Sequence, residues 1–288
     1  MRIVHLKQGG KDILAARRGG DLVDLNKVSP GMGTDLAVIL AKGSLNGLAA
    51  KVTGAGADTL VTGAFEYLPV IVKPPKIICV GLNYADHATE SAFEKPKYPV
   101  LFLRVATSLV AHDAPLILPK CSEQFDYEGE MVAIIGKGGR HIPQASALDH
   151  VAGYSVFNEG SIRDYQFKGP QWTSGKNFDG TGAFGPDFVT ADELPRGGKG
   201  LKIETRLNGQ TVQSANTNDM IFTIEELIAV TSEVMTLEPG DVFVTGTPAG
   251  VGAFRKPPLW MKDGDVCEVE VEKIGVVRNK IVAEKKPL

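Results

Sequence analysis

The pattern of hydrophobic and polar positions is mostly that of β-strands separated by tight turns. Short runs rich in Val, Ile and Phe alternate with Gly, Pro, Asn and Asp along most of the chain, which is typical of strands. The clearest runs are 76–81, 100–103, 131–135, 151–157, 201–207, 210–213, 242–245 and 266–271. The pair Asn208-Gly209 lies between two of these runs and predicts a two-residue hairpin.

Helical periodicity is confined to a few segments. The best of them is 223–235, where Thr223 and Glu226 have the spacing of a capping box and apolar residues then recur at the period of a helix. A second, shorter helix is predicted at 144–150. With many strands and few helices, the pattern predicts an α+β fold that is mainly β.

The first 72 residues have the pattern of a small N-terminal α/β module. Its predicted elements are strands at 3–6, 12–17 and 22–25 and one or two short helices within 35–50. Pro74 and Pro75 then disfavour regular structure. We therefore predict two domains, an N-terminal module of residues 1–72 and a larger domain of residues 76–288.

Composition and charge exclude several classes of protein. The chain has 288 residues, of which 43% are hydrophobic and 23% charged, and its net charge is −3. These values are typical of a globular protein, and the densest basic spots are pairs, so we exclude nucleic acid as the main partner. No stretch approaches the roughly 18 consecutive apolar residues of a membrane span. The three cysteines are widely spaced, which fits a reduced compartment, and we expect a cytoplasmic protein.

Two glutamates immediately precede the most apolar strand. Glu128 and Glu130 are two residues apart, and because strand side chains alternate between faces, their carboxylates point the same way. Like charges that converge beside a buried strand favour a bound cation, and carboxylate oxygens suit Mg²⁺, Mn²⁺ or Ca²⁺. The same spacing is also common on solvated strand faces, so the pair alone leaves both interpretations open.

Five further polar residues are candidates for chemistry. His87 and Glu90 are three residues apart, so that in a helical turn Glu90 would orient the imidazole; a simple surface contact fits as well. Glu159 follows a predicted strand and either completes a three-carboxylate site or is a solvated acid. Lys176 lies in a segment that lacks the spacing of a phosphate-binding P-loop. Arg104 ends another predicted strand and is either structural or a ligand for a substrate carboxylate.

Five sequence segments, in this order, resemble those of the fumarylacetoacetate hydrolase family. They are 81–87 (GLNYADH), 125–130 (FDYEGE), 158–166 (NEGSIRDYQ), 176–179 (KNFD) and 246–252 (GTPAGVG). The resemblance covers roughly residues 76–277, and the first 70 residues match only a loosely similar module of longer members. It implies a β-roll catalytic domain, a homodimer, and a divalent cation (Mg²⁺ or Mn²⁺, alternatively Ca²⁺) held by three acidic side chains.

The resemblance also implies a role for individual side chains. The implied metal ligands are Glu128, Glu130 and Glu159; the implied catalytic residues are His87, Glu90 and Lys176; and the implied substrate-binding residues are Arg104, Gln166 and Thr247. Two positions depart from the family's pattern. Glu159 stands where the family usually has Asp, which lengthens one ligand by a methylene group, and Arg104 stands where many members have Lys.

The function that the resemblance implies is hydrolysis of a carbon–carbon bond in a 2,4-dioxo acid of the acylpyruvate or fumarylpyruvate type. Water activated by His87, itself oriented by Glu90, would attack the distal carbonyl, and a pyruvate enolate stabilised by the cation would leave. Lys176 would stabilise the negative charge or deliver a proton. The same enolate chemistry fits an oxaloacetate decarboxylase, or an isomerase or dehydratase acting on a related 2-oxo acid. A catalytically inactive protein that binds 2-oxo acids is a further alternative, and Glu159 is the feature that favours it.

Overall fold

The computed structural model describes residues 1–86 and 96–285. Most of its regular structure is β-strand, as the sequence predicts. The strands, in chain order, are β1 (Arg2–Gln8), β2 (Lys11–Arg18), β3 (Asp21–Asp24), β4 (Glu66–Tyr67), β5 (Ile77–Gly81), β6 (Val100–Arg104), β7 (Leu109–Val110), β8 (Leu116–Leu118), β9 (Phe125–Asp126), β10 (Gly129–Ile135), β11 (Val151–Glu159), β12 (Ser161–Ile162), β13 (Gly182–Phe184), β14 (Asp187–Thr190), β15 (Lys202–Leu207), β16 (Gln210–Asn216), β17 (Val242–Val244), β18 (Val266–Val271) and β19 (Gly275–Ala283). The α-helices include Leu25–Val28, Leu36–Ala41, Leu48–Thr53, Arg163–Gln166, Thr173–Lys176 and Ile224–Val234, and Gln144–His150 is a 3₁₀ helix. Within the described ranges, no helix has both the length and the apolar character needed to cross a membrane.

Most of the strands belong to one large sheet with β10 near its centre. The main path of this sheet runs β3-β2-β1-β14-β11-β10-β17-β5-β6. β10 pairs antiparallel with β11 and with β17, and β17 pairs parallel with β5. Every residue of β10 is buried, because the strand is covered on both faces. This position accounts for the continuous apolar run at 131–135 in the sequence.

The N-terminal module is built into the same sheet. Its three strands form where the sequence predicts them, and β1 pairs antiparallel with β14, so that Ile3 lies opposite Phe188. Ile3 and Leu14 share a buried cluster with Val132 of β10. Residues of the first two strands therefore bury an apolar face against the rest of the chain. The division predicted at 72–76 falls in a segment without strand or helix, and the assignment of two domains stays a prediction.

A smaller sheet packs against the large one. Its order is β16-β15-β18-β19-β8, and both β15 and β18 contact β10. The hairpin of β15 and β16 confirms the turn predicted at Asn208-Gly209, where φ is 52° and 78°. The helix Ile224–Val234 also forms as predicted, with the capping box of Thr223 and Glu226 at its start.

Candidate metal centre

Three buried glutamates converge where β10 begins and β11 ends. Glu130 lies in β10, Glu128 precedes it by two residues, and Glu159 is the last residue of β11. The two strands are antiparallel neighbours, and the Glu159 N–H donates to the Glu128 carbonyl at 2.8 Å. One carboxylate oxygen from each residue lies within 4.8 Å of the other two, and each residue is at most 4% exposed. We call these three residues the carboxylate trio.

The residue between the first two glutamates is glycine because the two sheets approach closely there. A Cβ on Gly129 would lie 2.1 Å from Thr205 Oγ1 and 3.0 Å from Val269 Cγ1, both in the smaller sheet. The Gly129 N–H donates to Gln213 Oε1 of that sheet at 2.9 Å. The smaller sheet thus holds the backbone that presents the two glutamates.

Lys176 is buried against the carboxylate trio. Its Nζ donates to Glu128 Oε2 at 2.7 Å and to Glu159 Oε2 at 2.9 Å, and its side chain is 2% exposed. Burial disfavours the charged amine, but the charges of Glu128 and Glu159 outweigh this effect and raise the pKa of Lys176. The lysine therefore carries its positive charge at neutral pH, directly beside the predicted metal ligands.

Arg163 is a second cation at the trio, and the sequence analysis did not single it out. Its Nη2 lies 2.7 Å from Glu128 Oε1, and its Nε donates to Asp126 Oδ2 at 2.8 Å. Asp126 also accepts from the Gly252 N–H at 2.7 Å, which ties the 246–252 loop to the same network. A signal was present in the sequence, since Arg163 and Asp126 both lie inside family-like segments.

Arg104 lies behind Glu159 and is not among the side chains that line the cavity above the trio. Its guanidinium is buried and donates to Ser108 Oγ at 3.2 Å, to the Gly160 carbonyl at 3.2 Å and to Thr181 Oγ1 at 2.9 Å. Its Nη1 is 3.8 Å from Glu159 Oε1. The described structure therefore does not place Arg104 in the wall of this cavity, and each of its three guanidinium nitrogens donates to a protein group. Its role in substrate binding stays a prediction.

The other predicted substrate-binding residues do line the cavity. Gln166 and Thr247 both line it. The Gln166 Oε1 accepts from Arg163 Nη1 at 2.8 Å, and the Thr247 hydroxyl donates to the Gly129 carbonyl at 3.1 Å. The predicted catalytic pair, His87 and Glu90, lies outside the described residues.

The charges around the trio fit a divalent cation. Among the described residues, the buried acids around the trio are Asp126, Glu128, Glu130 and Glu159, and the buried bases there are Arg104, Arg163 and Lys176. The four acids exceed the three bases by one negative charge. Burial, followed by repulsion from Glu159 and Glu128, raises the pKa of Glu130 well above its usual value, and a cation that offsets this repulsion would favour the ionised carboxylate. Within residues 1–86 and 96–285, Glu159 Oε1 is buried without a well-aligned hydrogen bond. A set of carboxylate oxygens with these properties suits Mg²⁺ or Mn²⁺.

The cavity above the trio is narrow and partly aromatic. Besides the trio, Arg163, Lys176, Gln166 and Thr247, it is lined by apolar groups that include Phe102, Phe167, Trp172 and Phe254. The space open to the centres of water molecules is about 30 Å³. The site therefore combines hard oxygen ligands, two cations and aromatic walls around a small ligand space.

Comparison with known proteins places these residues in a family context. Residues 76–282 match the family described as fumarylacetoacetate (FAA) hydrolase C-terminal. A mitochondrial oxaloacetate tautomerase of Rattus norvegicus is 42% identical over 92% of this chain and 85% of that protein. The solved structure of a fumarylacetoacetate hydrolase from Exiguobacterium antarcticum is 34% identical, with a TM-score of 0.86 over 99% of this chain and all of that chain. A maleylpyruvate hydrolase from Sphingobium sp. SYK-6, solved with manganese(II) and pyruvate, is 26% identical, with a TM-score of 0.79 over the same shares.

Proposed function

The chain belongs to the fumarylacetoacetate hydrolase family, and on this premise we propose that it interconverts the keto and enol forms of oxaloacetate with the help of a divalent cation. The observation that carries the proposal is the buried trio with the Lys176 ammonium within 3 Å of two of its members. The rat relative, which matches over nearly the whole chain, is named for this reaction. The proposal replaces carbon–carbon hydrolysis, which the sequence favoured, as the leading function.

The proposed reaction moves one proton and breaks no bond of the carbon skeleton. A proton leaves carbon 3 of the keto form, the electron pair of that bond forms the carbon–carbon double bond, and the oxygen on carbon 2 gains a proton. A cation bound by the trio would draw electron density from the ligand's oxygens and so make carbon 3 more acidic. The chain's own contribution is to stabilise the negative charge that develops on the oxygen, in a site where little water dilutes the effect.

Lys176 is the residue best placed for that contribution. Its Nζ is fixed by Glu128 and Glu159 and lines the cavity, so a donor already in position faces a bound 2-oxo acid. Gln166 is held through its Oε1 by Arg163, which leaves its Nε2 hydrogens for a ligand carboxylate. We retain His87, oriented by Glu90, as the proposed base for the carbon-3 proton.

Hydrolysis of a 2,4-dioxo acid is the second candidate. It is supported by the structural likeness to the maleylpyruvate hydrolase with manganese(II) and pyruvate. Decarboxylation, isomerisation and dehydration of 2-oxo acids pass through the same kind of enolate, so the described residues serve them equally. A homodimer and a cytoplasmic location, both expected from the sequence, stand as proposals of the same kind.

A paired assay tests the proposal. The loss of the enol absorbance of oxaloacetate and the cleavage of an acylpyruvate are followed on one preparation, with Mn²⁺ and with chelator. We expect the protein with Mn²⁺ to accelerate ketonisation strongly and to lose this activity with chelator or in Glu130→Gln. The exposed Glu123→Gln variant is the control and should behave as wild type. Acylpyruvate cleavage without acceleration of ketonisation would refute the tautomerase and favour the hydrolase.

A further inference from the structure

Trp172 is fixed at the cavity by close contact with the backbone of β5. A Cβ built on Gly81, the last residue of that strand, would lie 2.2 Å from Trp172 Cζ3 and 2.8 Å from its Cη2. Glycine at this position thus allows the indole ring to rest directly on the strand. The ring lines the same cavity as the carboxylate trio.

Phe102 connects Trp172 to the charged end of the cavity. The Phe102 and Trp172 rings meet edge to face, with centroids 5.6 Å apart and planes at 69°. The Lys176 Nζ lies 5.2 Å from the Phe102 centroid, which is within the range of a cation–π contact. The Phe102 and Trp172 rings therefore form an aromatic wall. This wall begins 5.2 Å from the Lys176 ammonium and ends at the indole.

We propose that Trp172 sets the length of the 2-oxo acid that the site accepts. The inference rests on the proposed function in one respect: it assumes that the 2-oxo acid head lies at the trio and Lys176. A tail that extends from carbon 3 must then pass along the aromatic wall of Phe102 and Trp172, which both line the cavity. Because Trp172 leans on the strand backbone, a long tail is admitted only if the indole moves. Short 2-oxo acids are thus the substrates that fit, and Trp172 is the specificity-determining residue.

The first test measures how activity depends on tail length. Exchange of the carbon-3 protons with deuterated water is followed by proton NMR for straight-chain 2-oxo acids from 2-oxobutyrate to 2-oxoheptanoate. In the wild type with Mg²⁺ we expect kcat/KM to fall by about tenfold or more along the series, the discrimination typical of a tight apolar pocket. Trp172→Ala should flatten this fall and Trp172→Phe should be intermediate. Trp260→Phe, at the chain's other tryptophan, is the matched control and should keep the wild-type profile.

A binding measurement separates this inference from the proposed reaction. The chain has two tryptophans, so Trp260→Phe leaves Trp172 as the single indole reporter. With Mg²⁺ present, we expect 2-oxobutyrate to change the fluorescence of Trp172 at a lower ligand concentration than 2-oxoheptanoate does. Length-dependent binding without proton exchange would support the role of Trp172 and overturn the tautomerase. Normal exchange on oxaloacetate, together with an unchanged length profile in Trp172→Ala, would overturn the role of Trp172 and leave the proposed reaction intact.

Discussion

Replacing Lys176 with Met tests whether the buried charges are balanced as the geometry indicates. Methionine is about as long as lysine but is uncharged and apolar. It therefore fills the space of the lysine side chain and removes only the charge and the two hydrogen bonds, at 2.7 and 2.9 Å. Removing one partner of a buried ion pair costs about 3–5 kcal/mol of folding free energy. Since 1 kcal/mol shifts Tm by about 2–4 °C in a protein of this size, the expected fall in Tm is about 6–20 °C in chelator.

The cation should compensate for part of that loss. Lys176→Met raises the excess of buried negative charge, so the trio of the variant should bind Mn²⁺ more tightly, and the cation should stabilise the variant more than the wild type. The assay is thermal unfolding of both proteins in chelator and over a series of Mn²⁺ concentrations, in which Tm rises with the ratio of free cation to Kd.

Lys199→Met is the matched control because Lys199 makes an ion pair of the same length at the surface. Its Nζ is 2.7 Å from Glu225 Oε1, but its side chain is 46% exposed. Exposed pairs contribute at most about 1 kcal/mol, so its Tm should change by no more than a few degrees. An equal fall in Tm for the two variants in chelator, or a gap between Lys176→Met and wild type that Mn²⁺ leaves unchanged, would refute the charge balance.

Two further predictions concern the same network. Because burial raises the pKa of Glu130 above its unfolded value, its contribution to stability is complete at pH values below about 4.5 and is lost as the pH rises through the folded pKa. In chelator, the free energy of unfolding measured with urea should therefore fall less steeply with pH in Glu130→Gln than in wild type; equal slopes would contradict this. Arg104→Lys should weaken Mn²⁺ binding about tenfold through Glu159, with little change in substrate KM at saturating Mn²⁺. A raised KM with unchanged Mn²⁺ affinity would instead restore the substrate contact predicted from the sequence.

The strands and the acidic site were predictable because their signals are local. Strand periodicity and the Asn208-Gly209 turn depend on neighbouring residues, and the structure has these elements where they were expected. Glu128 and Glu130 share a face because they are two residues apart at a strand. The resemblance implied that Glu159 joins them, and spacing alone did not. In the structure this meeting depends on the pairing of β10 with β11.

The contacts that could not be predicted join residues far apart in the chain. Arg104 ends a strand, where a substrate contact is plausible, but Thr181 and Gly160 take up its donors. Trp172 lies in a polar loop with no periodic pattern, and its role depends on contact with Gly81, about ninety positions earlier. Such partners are set by tertiary packing, so a pattern in one segment carries no information about them.

The position of β1 in the large sheet has a consequence for synthesis on the ribosome. β1 can pair with β2 as soon as both have left the exit tunnel, but its other neighbours are β14, which begins at Asp187, and the short β4. Until more than half of the chain has been translated, part of the outer edge of β1 has unpaired backbone groups. Contacts of such long sequence separation also slow folding. The nascent N-terminal hairpin is therefore open to non-native strand pairing during a long part of translation.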